Sequence, residues 1–353
     1  MCYLLIIQND IEKAPYVSYY IDVFKDCGVE FRVLYWNRSM SYCHQNTSIV
    51  YNNPFCNNNV FLKIYSYIKF YIFCYLYILK NKCNNIISFS ITTSIFLSPL
   101  LLIKYRNKYI LDIRDYSPLA KYLKWILFFV IKKSRITFIS SSGFRDWLPI
   151  SNYVLSHNVS RSLLEKNLYN YDEIDGFDKC LNILTIGQIR DFYINRKLID
   201  LLGNNDRFKL TFSGYSNVYN KLKMYSNCNE IFNADFIGRY IKSDEASIVK
   251  SCSFINALTS NNILSNFLIT NRFYLSVLYC RPIIVFSNTY QAKLVEKYKL
   301  GIVIDDVSRL VEYIDNYMLY FDFDEFYAGC LKCRFDILND TLFFEDQLKS
   351  IIK

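Results

Sequence analysis

The sequence predicts an α/β chain built from two doubly wound parallel-sheet domains. Three observations carry this. The chain has 353 residues, more than one ordinary hydrophobic core holds. Short apolar runs alternate with helical patterns in both halves, the order expected of parallel strands joined by crossover helices. The run Ile283-Ile284-Val285-Phe286 is apolar throughout, as a strand covered on both faces requires. A composition of 52% hydrophobic and 21% charged residues excludes a disordered chain.

In the first half the expected strands are Tyr3–Ile7, Phe31–Tyr35, Ile86–Phe89, Tyr109–Ile113, Ile136–Ser140 and Tyr153–Leu155. Helical patterns fill 14–27, 60–80, 92–105 and 118–133, and Asn, Ser and Pro around 37–59 mark a long irregular connection. The domains are set at 1–165 and 181–336, with a linker at 166–180 and a final helical stretch at 337–353. The second set of strands is Leu181–Ile186, Phe208–Phe212, Ile231–Phe236, Ser253–Ala257, Ile283–Phe286 and Ile302–Ile304. Within it, Asn271 to Asp305 reads as helix, turn, strand, helix and glycine-led strand. Arg281-Pro282 stops the first helix, because proline disfavours helical backbone in the residue before it. Gly301 follows Lys299-Leu300, a helix stop with a cation in the last turn. Thr270 or Asn271 caps the first of these helices, leaving free N–H groups and Arg272 facing outward together, which suits a phosphate. Val307–Tyr317 and 324–352 are helical, and Asp322-Phe323-Asp324 reads as a solvated helix start.

Charge is informative once divided. Residues 1–165 hold 19 Lys+Arg against 9 Asp+Glu, while the rest holds 22 against 23. No acid occurs from Phe31 to Leu111. This asymmetry predicts an anionic partner for the first half, such as a membrane surface or a lipid pyrophosphate. Nucleic acid is not expected, because no binding motif accompanies the charge. Phe61 to Leu79 is interrupted by Lys63 and Lys69, leaving too short an uncharged run to span a bilayer. Tyr122–Lys133 reads as a buried helix of an α/β layer, with an interfacial helix as the alternative. The twelve cysteines, irregularly spaced with no secretory signal before them, read as buried thiols of a cytoplasmic protein. Cys330-x-x-Cys333 has no second pair, and two histidines, His44 and His157, leave few ligands for a metal, so none is expected.

Ligands of open α/β sheets sit beyond the carboxyl ends of the strands. That rule selects Gly187-Gln188-Ile189-Arg190, where glycine permits close approach and arginine grips a diphosphate or, alternatively, makes a surface or interdomain ion pair. It also selects Arg196 and Lys197, Ser213-Gly214, the loop Leu258–Asn262, and Asn271-Arg272. In the first half it selects Asn9-Asp10, Asp115 and Ser142-Gly143. Asp115 is suited to orient or deprotonate a substrate hydroxyl, and loop aspartates also cap helices. Ser142-Gly143 is equally compatible with a helix cap. No Gly-x-Gly-x-x-Gly and no P-loop occurs, which disfavours dinucleotide enzymes and P-loop NTPases.

Four pieces in order, Ile183-Leu184-Thr185-Ile186-Gly187-Gln188-Ile189-Arg190, Leu210–Gly214, Asn271-Arg272-Phe273-Tyr274 and Arg281-Pro282-Ile283-Ile284, carry a resemblance. The segment 181–305 resembles the donor-binding domain of nucleotide-sugar glycosyltransferases of the GT-B fold, nearest the family-four-like enzymes of bacterial surface polysaccharide and capsule assembly. The resemblance implies two Rossmann-like domains facing a cleft and a final helix crossing back. It implies transfer of a sugar from a nucleotide diphosphate donor to a lipid-linked surface glycan acceptor, with retention and without metal or cofactor. Gly187, Arg190, Arg196, Lys197, Ser213, Gly214, Asn271, Arg272 and Tyr274 would serve the donor. Asp115 would be catalytic, and Asn9, Asp10, Ser142 and Gly143 would face the acceptor. The enzyme would lie in the cytoplasm, peripheral on the inner face of the plasma membrane. Relatives carry a pair of glutamates where this chain has Phe267 and Leu275. That departure supports the alternative of a non-catalytic binding or scaffold subunit.

Overall fold

The computed structural model describes residues 2–40, 48–54, 59–81, 83–166, 177, 179–260 and 266–352. Most of the expected linker 166–180, His44, and Asn261-Asn262 of the polar loop lie outside the described residues. The chain divides into two compact units, Met1–Ser160 with Asn339–Lys353, and Arg161–Leu338.

The first unit holds strands β1 (Cys2–Ile7), β2 (Glu30–Asn37), β3 (Ser48–Asn52), β4 (Asn85–Phe89), β5 (Tyr109–Ile113), β6 (Ile136–Ile139) and β7 (Tyr153–Leu155). They form one parallel sheet in the order β3-β2-β1-β4-β5-β6-β7. Its helices are α1 (Tyr16–Asp26), α2 (Val60–Lys80), α3 (Ile91–Phe96), α4 (Ser98–Ile103), α5 (Leu119–Tyr122) and α6 (Lys124–Lys132). The strand order reverses between β1 and β4. Right-handed crossovers therefore put α1 on one face and α2 to α6 on the other. Side chains agree: Val33 and Tyr35 pack with Tyr20 and Phe24 of α1, while Trp36 stacks on Phe70 of α2 at 5.2 Å.

The central strands are buried on both faces, which is why they read as continuous apolar runs. Asp112 in β5 is the exception that the structure compensates. Its carboxylate accepts from Tyr20 Oη at 2.6 Å and pairs with Arg114 at 2.6 Å. Arg114 also donates to the Ser156 carbonyl (2.8 Å) and hydroxyl (2.7 Å) and lies 4.5 Å from the Tyr16 ring centre. Burial alone would lower the Arg114 pKa, but the Asp112 carboxylate outweighs it and holds the pKa above its ordinary value.

Three sequence expectations change here. The connection 37–59 contains strand β3, a half-buried edge strand whose polar flanks hid it, joined through Asn37 to Asn52 at 2.9 Å and Trp36 Nε1 to the Asn53 carbonyl at 2.7 Å. The helix over 92–105 is two helices broken at Leu97, because Pro99 removes a helical donor and sits instead in the first turn of α4. The stretch Tyr122–Lys133 buries Leu127, Val130 and Ile131 but exposes Trp125, Phe128 and Phe129, so it is not a fully covered layer helix.

The second unit holds β8 (Leu181–Ile186), β9 (Phe208–Ser213), β10 (Ala234–Gly238), β11 (Phe254–Asn256), β12 (Ile283–Phe286) and β13 (Gly301–Ile304), parallel in the order β10-β9-β8-β11-β12-β13. Its helices are α7 (Arg161–Glu165), α8 (Phe192–Leu202), α9 (Asn217–Cys228), α10 (Glu245–Lys250), α11 (Asn271–Tyr279), α12 (Tyr290–Tyr298), α13 (Leu310–Leu319) and the start of α14 (Phe323–Ile352). Strand β10 starts three residues later than the weak run at Ile231 suggested. Asn233 instead donates to the carbonyls of Leu202 and Phe208, both at 2.8 Å, and anchors the turn. The order reverses between β8 and β11, which marks the carboxyl ends of those strands as the place for a ligand.

Helix α14 runs for 30 residues, and its residues from Asn339 onward belong to the first unit. There Phe344 packs on Tyr20 (5.2 Å) and Phe138 (4.8 Å), and Asp340 meets His157 at 3.1 Å.

The buried Asp112–Arg114 pair gives a direct test. Asp112→Ala leaves a buried guanidinium without its carboxylate and is expected to cost about 3–5 kcal/mol of stability in urea unfolding. The double variant Asp112→Leu/Arg114→Met is expected to lose less than the single one. A greater loss in the double variant would mean that packing, not the unpaired charge, dominates at this position.

Candidate functional site

Three neighbouring strands of the second sheet end in glycine. Gly187 follows β8 with φ 85°, Gly214 follows β9 with φ 145°, and Gly238 closes β10 with φ 84°. The turns are joined through the backbone: Gly187 donates to the Ser213 carbonyl at 2.8 Å, and Gly214 to that of Gly238 at 2.7 Å. A Cβ on Gly214 would lie 1.8 Å from the Gly187 carbonyl oxygen, so no other residue fits. Side-chain-free backbone thus lines the carboxyl edge of these strands.

Arginines surround that edge. Arg272, in the first turn of α11, donates from Nε to the Ile186 carbonyl (2.8 Å) and from Nη2 to that of Gln188 (3.2 Å). Its pKa is pushed down to about 10, first by burial and then by the positive charge of Arg190, with Asp191 and Tyr240 opposing. At neutral pH it remains charged. Arg190 is exposed and donates from Nε (3.1 Å) and Nη2 (2.7 Å) to the side-chain oxygen of Gln188. Arg239, next after Gly238, lies 4.7 Å from the Tyr215 ring centre. Among the described residues no carboxylate comes within ion-pair distance of these three guanidinium groups. Cations held near one another with only neutral acceptors favour an incoming anion.

A buried amide network fixes the β8–α8 turn. Asn195 donates to the carbonyls of Arg190 (2.6 Å) and Asp191 (2.9 Å), and Asn256 at the end of β11 donates to Thr185 Oγ1 (2.9 Å) and Asn195 Oδ1 (3.3 Å). Asp191 begins α8 in left-handed backbone (φ 58°), and its side chain accepts from Ser260 at 2.6 Å. Beside this turn is a cavity of about 290 Å³ lined by Lys197, Thr259, Ser287, Thr289 and Asp306, at the carboxyl ends of β11 to β13. The hydroxyl and N–H of Ser308 hold Asp306 below the usual carboxylate range, and Lys197 adds to this.

The sequence-selected residues separate on this geometry. Gly187, Arg190, Gly214 and Arg272 come to one edge, with Asn271 exposed in the first turn of α11. Ser213 is buried behind Gly214, its hydroxyl without a partner among the described residues. Lys197 lines the adjoining cavity. Arg196 turns along α8 instead, 3.5 Å from Asp200 and 4.8 Å from the Tyr225 ring centre. Tyr274 is buried at 3% exposure. Neither Thr270 nor Asn271 provides the expected side-chain cap. The Thr270 hydroxyl and N–H both donate to buried Gln291, at 2.8 and 2.9 Å. At the two positions where the resemblance implies glutamates, Leu275 is buried and Phe267 half-buried.

In the first unit, Asp115 is exposed at the end of β5. Asn9 accepts from the N–H of Asp10. Asp10 is 2% exposed and already bound: it accepts from Lys13 Nζ (2.6 Å) and from the N–H groups of Arg38 (2.7 Å) and Ser39 (3.0 Å). Burial raises its pKa, but those donors outweigh it and hold the carboxyl below its ordinary value. Its observed work is to tie the β2 turn to the end of β1. Ser142-Gly143 opens a short 3-10 turn capped by Ser141, whose hydroxyl accepts from the Gly143 N–H at 3.1 Å, the helix-cap alternative.

Sequence reasoning missed Gly238-Arg239 and the Asn195–Asn256–Thr185 network. The first had a readable signal, since Phe236-Ile237-Gly238-Arg239 repeats the apolar-then-glycine-then-arginine pattern of Ile186-Gly187 to Arg190. The second had none, because it joins residues 61 and 71 positions apart.

No protein-family model and no curated protein sequence matches this chain. Solved structures match it over its full length. HepE from Anabaena, in complex with UDP and glucose, superposes with a TM-score of 0.68 at 12% identity, covering 98% of this chain and 99% of that one. Sucrose-phosphate synthase from Thermosynechococcus elongatus gives 0.71 at 10% identity, covering 99% of both. An α,α-trehalose 6-phosphate synthase from Burkholderia multivorans gives 0.67 at 10% identity, covering 99% of this chain and 98% of that one. The two-unit α/β fold is that of these GT-B glycosyltransferases.

The glycine edge separates two kinds of substitution. Gly214→Ala drives a methyl into the Gly187 carbonyl and is expected to lower the melting temperature sharply. At Gly187 an added Cβ meets nothing within 4 Å, so Gly187→Ala carries only the strain of left-handed backbone, about 1–2 kcal/mol. Equal melting temperatures for the two variants would show that the edge opens without cost.

Proposed function

We propose that the chain is a glycosyltransferase whose second unit binds the diphosphate of a nucleotide sugar at the Gly187–Gly214–Gly238 edge. The observation that carries this reading is the set of guanidinium groups, Arg190, Arg239 and Arg272, beside that edge with no carboxylate partner among the described residues. Supporting it, HepE shares the fold and was solved with UDP. The diphosphate accepts from the first turn of α11 and from the arginines, each charge-assisted bond worth about 1.5–3 kcal/mol. Lys197 and the cavity beside it accommodate the sugar.

As the glycosidic bond to the diphosphate breaks, negative charge grows on the leaving oxygen. Fixed cations stabilise that charge more than they stabilise the ground state, which lowers the barrier. In the retaining course the resemblance implies, the leaving diphosphate itself takes the acceptor proton, with the chain's arginines supplying the positive charge. The acceptor is a lipid-linked surface or capsular glycan held by the first unit on the cytoplasmic side, with Asp115 orienting its hydroxyl. Asp10, having no oxygen to spare, is left out of this role. One observation favours a second reading, a nucleotide-binding subunit without activity: Leu275 is buried at the position where relatives bring a carboxylate to the ribose.

Two measurements test the reading. Arg190→Ala is expected to weaken UDP binding about tenfold or more by calorimetry, since that side chain is exposed and its loss disturbs no core. Unchanged affinity removes Arg190 from the site. Transfer is assayed with radiolabelled nucleotide sugars and membrane extract, and Asp115→Asn is expected to lower its rate about 10²–10⁴-fold at unchanged UDP affinity. Binding of UDP without transfer from any donor of the panel would favour the inactive subunit.

A further inference from the structure

The helical layer formed by α2, α3, α4 and α6 leaves an apolar outer surface uncovered. Helix α2 exposes Phe61 (81%), Leu62 and Ile64 around its first turn and then Tyr65, Ile68, Ile72, Leu76 (63%) and Leu79, spaced every three to four residues. It is joined side by side to α3, where Tyr71 stacks on Phe96 at 4.5 Å and Tyr75 donates to the Phe96 carbonyl. Ile103 (83%) of α4 and Trp125 (64%), Phe128 and Phe129 of α6 extend the surface. Contiguous apolar surface on this scale marks an interaction site.

Charge in the first unit is sorted by layer. No Asp or Glu occurs in α2, α3, α4, α5 or α6, whereas Lys63, Lys69, Lys80, Lys104, Lys121, Lys124 and Lys132 are exposed there. Asp22 and Asp26 of α1 and Asp340, Glu345 and Asp346 of α14 lie on the opposite face of the sheet, while Asp115 and Asp146 lie in the turns after β5 and β6. A general excess of basic residues would not divide in this way.

We propose that this layer docks flat on an anionic lipid bilayer, with the apolar side chains of α2 and α6 entering the headgroup boundary and the lysines meeting lipid phosphates. The proposal stands on the first unit alone, whatever the second unit binds. By length and composition α2 passes as a membrane-crossing helix, unlike the sequence expectation for Phe61–Leu79. Yet it is a crossover helix between two strands of one sheet, and its other side buries Phe70, Tyr71, Cys74 and Ile78 in the core. It cannot leave the plane of the layer without opening that core. A second copy of the chain is a poor occupant, because a two-fold contact would set these lysines against their own images with no acid in the layer to pair them. Lipid anions supply the missing charge.

The full chain is sedimented with vesicles of phosphatidylcholine alone and of phosphatidylcholine with phosphatidylglycerol. Binding is expected only with the anionic lipid, weakening as salt rises from roughly 0.1 to 1 M, with each lysine contributing roughly fivefold. Ile72→Asp/Leu76→Asp, both at exposed positions, is expected to reduce binding at least about tenfold at an unchanged melting temperature. Brominated lipid is expected to quench Trp125 in the unmodified protein, a readout that needs no variant. Binding unaffected by Ile72→Asp/Leu76→Asp, absence of quenching, or equal binding to neutral vesicles would each overturn the proposal. So would a dimer in sedimentation velocity that these two substitutions dissociate, since the face would then belong to self-association.

Discussion

Strand β9 ends beside strand β8 only because Gly214 has no side chain to drive into the Gly187 carbonyl. That approach brings the carboxyl ends of β8, β9 and β10 into one continuous backbone edge, held by the Gly187–Ser213 and Gly214–Gly238 hydrogen bonds. Everything around it depends on the position of the edge. Arg272 reaches the Ile186 and Gln188 carbonyls because the turn after β8 presents them outward. Asn195 and Asn256 keep that turn from moving by satisfying its inner carbonyls and Thr185. A buried polar network of this kind specifies one geometry, since any other leaves amides without partners.

Two arginines in this chain illustrate how environment divides structural from receptive charge. Arg114 is buried against Asp112, Ser156 and the Tyr16 ring, so its charge is neutralised inside the fold. Arg272 is held just as firmly, but by carbonyls, which orient a guanidinium without cancelling it. Its pKa falls under burial and the nearby Arg190 charge, so an anion that joined the pair would relieve both effects. The first arginine is neutralised within the fold, and the second is oriented without a counter-charge.

The strand pattern was legible because parallel strands buried on both faces leave unbroken apolar runs, as at Leu4 to Ile7 and Ile283 to Phe286. Strand β3 was not, because an edge strand buries only one side and Ser48 to Asn52 lacks such a run. Gly187, Arg190, Gly214 and Arg272 were readable from the rule that ligands lie beyond strand ends, since that rule needs only strand order and residue type. Which way a side chain turns along its helix was beyond that rule. Arg196 and Lys197 are neighbours in sequence, yet one runs along α8 toward Asp200 and the other lines a cavity. Asp10 stood at the right strand end, but besides the local Lys13 its donors are the N–H groups of Arg38 and Ser39, which reach it only once β1 and β2 are paired.

Helix α14 closes the core of the first unit with Phe344, Leu348 and Ile352, side chains that follow the whole second unit in the chain. Synthesis proceeds from the amino terminus, so the sheet that is made first must wait for residues made after Leu338. Until they emerge from the ribosome, Tyr20 and Phe138 lack the aromatic partner they have in the finished fold. The two units therefore cannot mature in the order in which they are translated. The nascent first unit is left with an unsealed aromatic surface throughout elongation of the second, the interval in which a chaperone has most reason to hold it.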